Sequence, residues 1–388
     1  MAGRIRFSSI VGSYGQELLA RGSVDIVHLD EPRSISYSGA GQFFLEAPEI
    51  SDAFWAFQLK PRTLQVSPIY VAVLRDCLVM PNGVVLLKDG SVLLESIFPA
   101  SMEEFERAAI ANLTVDDYRA GHYAEKARGG PEVVEMDRAV HCRDRGESGY
   151  YHWLSAIIPR LGLVRHRTSF AGLPHLIEPQ HGFGPDWLGV VAPDLPVHRS
   201  RQKSILVKEL VFPAPAQVGS SHYARNPELL QHFRRMLREQ GVLAQGTPPE
   251  KRRKLYVTRS DAPVRRVTNE DALMARLGGL GFERVSLTGM AVREQIQLFA
   301  DAATVVAPHG AGLTNVLFCE AGTTVIELMS PTRVWPGFKV ISRAVGANYA
   351  AYVSEAFETG QTERVGAGNE DFTVRPESCM RFVEACIS

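Results

Sequence analysis

The chain contains no run of the roughly 18 consecutive apolar residues that a membrane-spanning helix needs. Its start, Met1-Ala2-Gly3-Arg4-Ile5-Arg6, does not lead into the apolar core of a secretion signal, because Ser13, Gln16 and Glu17 interrupt the next stretch. Cysteine is sparse and unpatterned: Cys77, Cys142, Cys319, Cys379 and Cys386 are odd in number, far apart, and nowhere form Cys-x-x-Cys. Such usage implies neither a disulfide framework nor a zinc site, and fits a reducing compartment. An excess of one charge is missing too: the formal net charge is −1, so no broad field draws in nucleic acid or an anionic membrane. A local basic run, Lys251-Arg252-Arg253-Lys254, lacks interleaved aromatics and directly precedes an apolar strand pattern, which reads as a solvated strand entrance. The expectation is a cytoplasmic protein with at most peripheral contact at the inner membrane and no nucleic-acid partner.

What is present is ample material for a core. The 388 residues are 45% hydrophobic and 22% charged, enough for two domains of ordinary globular composition. The polar stretch 241–251, with Gly246, Pro248 and Pro249, sets a boundary between residues 1–245 and 246–388. In the first part, Val71-Ala72-Val73-Leu74, Val84-Val85-Leu86-Leu87 and Val92-Leu93-Leu94 are punctuated by Pro81-Asn82-Gly83 and Lys88-Asp89-Gly90, as in an antiparallel meander. A helix is expected over 101–112. Another is expected from Tyr150 to Leu161, ended or kinked by Pro159. Strand-like runs come next at Gly189-Val190-Val191 and Ile205-Leu206-Val207, then a helix opened by Asn226-Pro227.

Beyond residue 246 strands and helices alternate. Strands at 255–257, 284–287, 304–307 and 324–328 are separated by helices from Asn269, where Thr268 and Asp271 resemble a capping box, and from Val292. Such spacing makes a parallel sheet with right-handed crossovers. The C-terminal end adds a strand over 371–374 and a helix from Pro376.

The most informative stretch is Val305-Val306-Ala307-Pro308-His309-Gly310-Ala311-Gly312-Leu313-Thr314-Asn315, a β-branched run that ends in a small-residue turn and opens into a helix-compatible segment. Bare backbone N–H groups at such a turn, with the positive end of a helix behind them, suit a phosphate or diphosphate. His309 falls at the carboxyl end of its strand, where open α/β sheets bind ligands. Two further elements should reach the same edge: Thr258-Arg259-Ser260, whose guanidinium can fork onto phosphate oxygens, and Arg265-Arg266-Val267-Thr268-Asn269-Glu270 before a helix. Glu327, at the end of an apolar strand, is placed to accept from sugar or ribose hydroxyls, or to cap a helix or pair with an arginine. A dinucleotide-dependent dehydrogenase fits poorly, because the turn after Val257 lacks Gly-x-Gly-x-x-Gly.

In order along the chain, Tyr151-His152-Trp153-Leu154 with Pro159-Arg160-Leu161, Tyr256-Val257-Thr258-Arg259, Arg266-Val267-Thr268-Asn269-Glu270, Gly281-Phe282, Glu294-Gln295 with Leu298-Phe299, Ala302, the 309–315 turn, Phe318 and Ile326-Glu327-Leu328 make a combination. This ordered set resembles glycosyltransferase family 61, whose members include plant xylosyl and arabinosyl transferases. The resemblance implies an α/β, GT-B-like fold: two Rossmann-like domains facing a cleft, the first with the added meander. It also implies an inverting transfer from a nucleotide-sugar donor, usually a UDP-sugar, to a glycan or lipid-linked glycan acceptor, as in surface or capsular polysaccharide synthesis.

No Asp-x-Asp occurs anywhere in the chain, so the diphosphate charge would be offset by arginines and N–H groups, with no metal and no cofactor. Arg259 would be catalytic. The donor would be held by Arg259, Arg266, Asn269, Glu270, His309, Gly310, Ala311, Gly312, Leu313, Asn315 and Glu327. His152, at the head of a helix in the first domain, is the candidate base, with a packed, structural histidine beside Trp153 as the alternative. A non-catalytic nucleotide- or glycan-binding protein of the same fold is the competing reading.

Overall fold

The computed structural model describes, apart from short gaps, residues 69–96, 133–248, 252–357 and 368–388, together with the backbone of strands at 7–8, 24–28, 33–37, 42–45 and 62–66. The helix expected over 101–112 lies outside the described residues. The chain forms two compact units: Met1–Ile35 with Gln65–Phe233, and Ser36–Leu64 with Arg234–Ser388. Among the described residues no helix is long and apolar enough to cross a membrane.

The first unit is built on a mixed sheet. Its strands include β1 (Val24–His28), β2 (Tyr70–Val79), β3 (Val85–Leu86), β4 (Val92–Leu93), β5 (Val133–His141), β6 (His175–Leu176), β7 (Val197–His198) and β8 (Ser204–Pro213). Strand β2 pairs antiparallel with β1, β3 and β8, and β3 with β4. From β8 onward the order β8-β5-β6-β7 is parallel throughout.

Between β5 and β6 the chain is helical without interruption through Tyr150–His152, Trp153–Ile157 and Ile158–Arg165. Pro159 does not end this helix. Proline lacks an N–H and crowds the carbonyl one turn back. Here the preceding turn is π-helical, and the Ile158 N–H reaches back to the Trp153 carbonyl, which widens the turn just where the ring must fit. Nor are Gly189-Val190-Val191 a strand: they close the helix Gly184–Val191, which starts with Pro185 in its first turn and buries Trp187, Leu188 and Val191 at helical spacing.

The division between the units falls within the helix Pro227–Glu239. Its start is as the sequence indicates: Pro227 follows Asn226, whose Oδ1 accepts from the N–H groups of Glu228 (3.1 Å) and Leu229 (3.5 Å).

The second unit is a parallel α/β layer. In chain order it contains β9 (Arg253–Val257), helix α1 (Glu270–Leu277), β10 (Phe282–Val285), helix α2 (Val292–Ala300), β11 (Ala302–Pro308), a 3₁₀ helix (Ala311–Phe318), β12 (Thr324–Met329), helix α3 (Gly337–Ala344), β13 (Asn348–Val353), β14 (Phe372–Thr373) and helix α4 (Pro376–Ile387). The sheet order is β10-β9-β11-β12-β13, and the strand Gln42–Leu45 is added parallel at the β13 edge. Strands alternate their side chains between two buried faces. Tyr256, Val306, Ile326, Leu328, Ala350 and Tyr352 pack on one face with Leu273, Leu277, Phe382 and Val383 from α1 and α4.

At the α1 entrance the expected capping box does not form. Thr268 Oγ1 shares a hydrogen bond with Thr373 Oγ1 (2.7 Å), and Asp271 pairs with Arg284 (2.7 Å). The segment before α1 is tied to the C-terminal strand instead.

Replacing Asn226 by alanine removes the helix cap and should destabilise the protein by about 1 kcal/mol, whereas Asn226→Asp should change stability little. Urea denaturation of both variants measures this; equal midpoints for wild type and Asn226→Ala would show that the cap contributes nothing.

Candidate functional site

In the second unit, strand order 2-1-3-4-5 places β9 and β11 side by side while their chains leave in opposite directions across the sheet. Ligands bind outside the carboxyl ends of strands at such a switch point. Two loops meet there: residues 258–269 after β9, and the glycine turn after β11.

Arg259 lies half-buried across the glycine turn. A Cβ built at Gly310 would overlap the Arg259 guanidinium, so it is the missing side chain at 310, and not its extended backbone, that lets Arg259 lie where it does. Arg259 Nη2 donates to the Val264 carbonyl at 3.1 Å, while its Nε is buried with no hydrogen-bond partner among the described residues. The neighbouring arginine, Arg265, adopts a left-handed backbone (φ 59°), which is costly for a side chain of this size. Its Nε is likewise buried without a partner among the described residues. Burial, then the like charges of Arg259 and Arg333, push the Arg265 guanidinium down to about 10. Arg333 stacks on Trp335, its guanidinium carbon 4.2 Å from the ring centre. Positive groups thus crowd one place where the acids near them are engaged with other partners: Glu327 in the sheet, Asp261 with Ser286 and Asp371 with Arg266.

The engagement of Glu327 comes from register. Glu327 lies directly opposite Ala307 on β11 and Ala351 on β13. Both are alanines, which leaves room for the carboxylate to be met from the diagonal positions by His309 and Tyr349. His309 Nδ1 hydrogen-bonds Glu327 Oε1, and the Tyr349 hydroxyl donates to Oε2. Glu327 is 0% exposed. Burial lowers the His309 pKa, with Arg265 and Arg333 acting the same way and Glu327 opposing them. Burial and then Glu327 raise that of Tyr349 well above the ordinary phenol. The imidazole is further held between Trp335 (6.1 Å, stacked) and Phe338 (5.4 Å).

Several residues expected at the ligand are occupied elsewhere. Arg266 faces away: its N–H and Nε each donate to Asp371 at 2.8 Å, tying the loop to the β14 segment. Asn269 spends both amide atoms on the Val374 backbone. Glu270 is buried behind Thr258, whose hydroxyl it accepts at 2.6 Å. Glu327, sealed and doubly bonded, does not present oxygens to sugar or ribose hydroxyls. Leu313 is core, and Asn315 turns inward to the Gly312 carbonyl and Gln295. What remains at the edge is His309, the backbone of Gly310, Ala311 and Gly312 in the first turn of the 3₁₀ helix, and Arg259. Arg265, expected there with Arg266, and Arg333, which does not stand out from sequence as a site residue, join them, while Tyr349 supports the site from behind through Glu327.

His152 belongs to the other unit. Its ring packs over Gly146, where a Cβ would overlap it. Arg225, fully buried, donates Nε–H to Ser155 Oγ (2.9 Å), contacts His152 Nδ1 at 3.2 Å and lies over the Tyr151 ring. Asp144 Oδ1 is 3.7 Å from the same nitrogen. With Arg225 donating to Nδ1, a neutral His152 carries its proton on Nε2 and serves as a donor.

Residues 150–326 match the family model described as Glycosyltransferase 61. Over those residues the chain is similar to glycosyltransferase family 61. A curated relative, a beta-1,2-xylosyltransferase of Arabidopsis thaliana, is 30% identical over 73 residues, 19% of this chain and 14% of that protein. The chain therefore matches only a small share of that relative's length. The family 61 segment includes His152, Arg259 and the whole glycine turn, and it ends at Ile326, one residue before Glu327.

Two substitutions separate bracing from binding. Asn269→Ala should cost about 1–2 kcal/mol of stability and leave nucleotide affinity unchanged. Gly310→Ala should keep the melting temperature within a few degrees but displace Arg259 and weaken UDP binding at least tenfold. Calorimetric titration beside a thermal melt reads both; the opposite pattern in either variant would reverse its assignment.

Proposed function

We propose that the protein is an inverting, metal-independent glycosyltransferase with a GT-B-like division of labour. The second unit would hold a nucleotide-sugar donor, a UDP-sugar in the first instance. The other would serve a glycan or lipid-linked glycan acceptor, in the making of a surface or capsular polysaccharide at the cytoplasmic side. The match to the family 61 model over residues 150–326 and the similarity to a xylosyltransferase support sugar transfer, hexosyl or pentosyl. The observation that carries the donor reading is the gathering of guanidiniums, two with orphaned buried Nε atoms, against bare amides at a switch point. Buried unsatisfied donors are costly, and a diphosphate satisfies them.

On this reading Arg259, aided by Arg265 and Arg333, offsets the charge that grows on the departing diphosphate, and the amides of Gly310, Ala311 and Gly312 add fixed donors. In the displacement the acceptor oxygen bonds to the anomeric carbon as the bond to the diphosphate oxygen breaks, and the electron pair leaves with the diphosphate. The acceptor proton goes to a base. His152 takes that part in one tautomer only: when Nδ1–H is given to Asp144 in place of accepting from Arg225, Nε2 gains the lone pair. A change of partner at Nδ1 is therefore part of the proposed step.

Incubating the protein with a panel of UDP-, GDP-, CMP- and dTDP-sugars and measuring donor hydrolysis in the presence of EDTA tests the proposal. Turnover with one donor, undiminished by chelation, is expected. Silence across the panel would instead favour a non-catalytic binding protein. Arg259→Ala should lower turnover on the order of 100- to 1000-fold, and His152→Ala should abolish transfer while sparing UDP affinity. Loss of UDP binding in the His152 variant would remove its assignment as base.

A further inference from the structure

Glu327 is the feature of the second unit that diphosphate binding by arginines and amides leaves unused. A carboxylate sealed in the middle of a parallel sheet is expensive unless both oxygens are engaged. Here one is met by the ring that stands at the lip of the glycine turn, the other by a phenol from the next strand. The result is a row, Tyr349–Glu327–His309, running diagonally across β13, β12 and the end of β11. His309 is fixed at both ends of its geometry. The backbone N–H donates to the Leu328 carbonyl at 2.8 Å, which extends the β11 pairing by one residue, and the ring is clamped between Trp335 and Phe338.

With Nδ1–H directed at Glu327, the lone pair of a neutral imidazole lies on Nε2. That atom has no hydrogen-bond partner among the described residues and is not among their fully buried orphaned atoms. A lone pair facing a bound diphosphate would be repelled by it. A proton there would turn the repulsion into a charge-assisted hydrogen bond.

Resting on the donor reading above, we propose that His309 takes up one proton from solvent when a diphosphate occupies the glycine turn, and that Glu327 and Tyr349 are positioning residues that hold the ring for it. No covalent bond changes in this step: a proton moves from water to Nε2, which then donates to a phosphate oxygen, while Glu327 balances the imidazolium. The sugar–phosphate bond later breaks with its electron pair going to an oxygen already facing that cation.

The charged groups around the ring are consistent with a proton that arrives only with the ligand. Glu327 on β12 attracts it, and Tyr349 on β13 supports Glu327. Arg265 from the loop before α1 and Arg333 from the segment after β12 repel it. Helix α3 adds the neutral Phe338 ring, with Lys339 next in the chain. Without an anion the two guanidiniums and burial favour the neutral ring; a diphosphate neutralises the guanidiniums and reverses the balance. Because the bound ring has the raised pKa, the gain in affinity is present at lower pH and fades as pH rises through that value.

The experiment is calorimetric titration of UDP into the full chain at pH 8 in buffers of different ionisation enthalpy, a pH at which the terminal phosphate of UDP, with a second pKa near 6, is already ionised. The apparent enthalpy should vary with the buffer by an amount that corresponds to uptake approaching one proton per UDP. Uridine should bind, if at all, with no such dependence. His309→Asn should abolish the uptake and Glu327→Gln should cut it by more than half, with Tyr349→Phe between Glu327→Gln and wild type; circular dichroism verifies that each is folded. Inorganic pyrophosphate serves as a second probe.

Buffer-independent binding by the wild type overturns the proposal and leaves the donor reading standing. Unchanged uptake in His309→Asn overturns it as well. If neither UDP nor pyrophosphate binds at all, the donor reading itself fails, and this proposal with it.

Discussion

A negative charge with no access to water organises the second unit. Glu327 sits at 0% exposure in the central part of a parallel sheet, where a carboxylate survives only if its surroundings answer it. The answer reaches over three strands: alanines directly opposite on both sides, a phenol on one diagonal, an imidazole on the other. The imidazole is the residue that begins the glycine turn, so its orientation and the path of the turn are fixed by the same carboxylate. The turn in turn leaves space for Arg259 by having no side chain at 310. Loop, helix start and guanidinium are thus arranged by an acid that touches no ligand.

The two units place different chemistry at comparable points of their topology. In the first, the parallel strands run β8-β5-β6-β7, so the chain also reverses direction at β5. There Arg160 enters from the helix above and donates to the carbonyls of Arg143 and Pro213, both at 3.1 Å, and to the His141 ring. That crevice is closed by the protein's own cation, bonded to backbone. In the second unit Arg259 and Arg265 at the switch point each carry a buried Nε with no hydrogen-bond partner among the described residues.

Much of the second unit is legible in the sequence because its signals are local and periodic. Alternating strands and helices, the small-residue turn and Asn226-Pro227 each state their structure within a few residues. Pro159 does not end its helix because the turn directly before it is π-helical, an accommodation that helix propensity does not describe. Gly189-Val190-Val191 reads as strand by composition, but Pro185 and the buried spacing of Trp187, Leu188 and Val191 make it a helix end.

At the site, Arg265 and Arg266 differ by backbone conformation and by partner. The left-handed backbone at 265 and the pairing of 266 with Asp371 set the two side chains apart. Glu327 stands out in the sequence but its partners do not, since a diagonal relation to His309 and Tyr349 exists only once strand register is set. Arg333 lies just past the carboxyl end of β12, so the switch-point rule, applied to the next strand along, is the signal that points to it.

Arg266 and Asn269 give the far end of the chain a mechanical role. Arg266 through Asp371, Thr268 through Thr373 and Asn269 through Val374 buckle the loop that carries Arg259 and Arg265 onto the β14 segment, which α4 follows at once. The loop is moored at its origin by β9 and at its exit by residues more than a hundred positions downstream. A disturbance of the tail, whether by truncation or by a bulky fusion, would slacken the arginine loop from its far side.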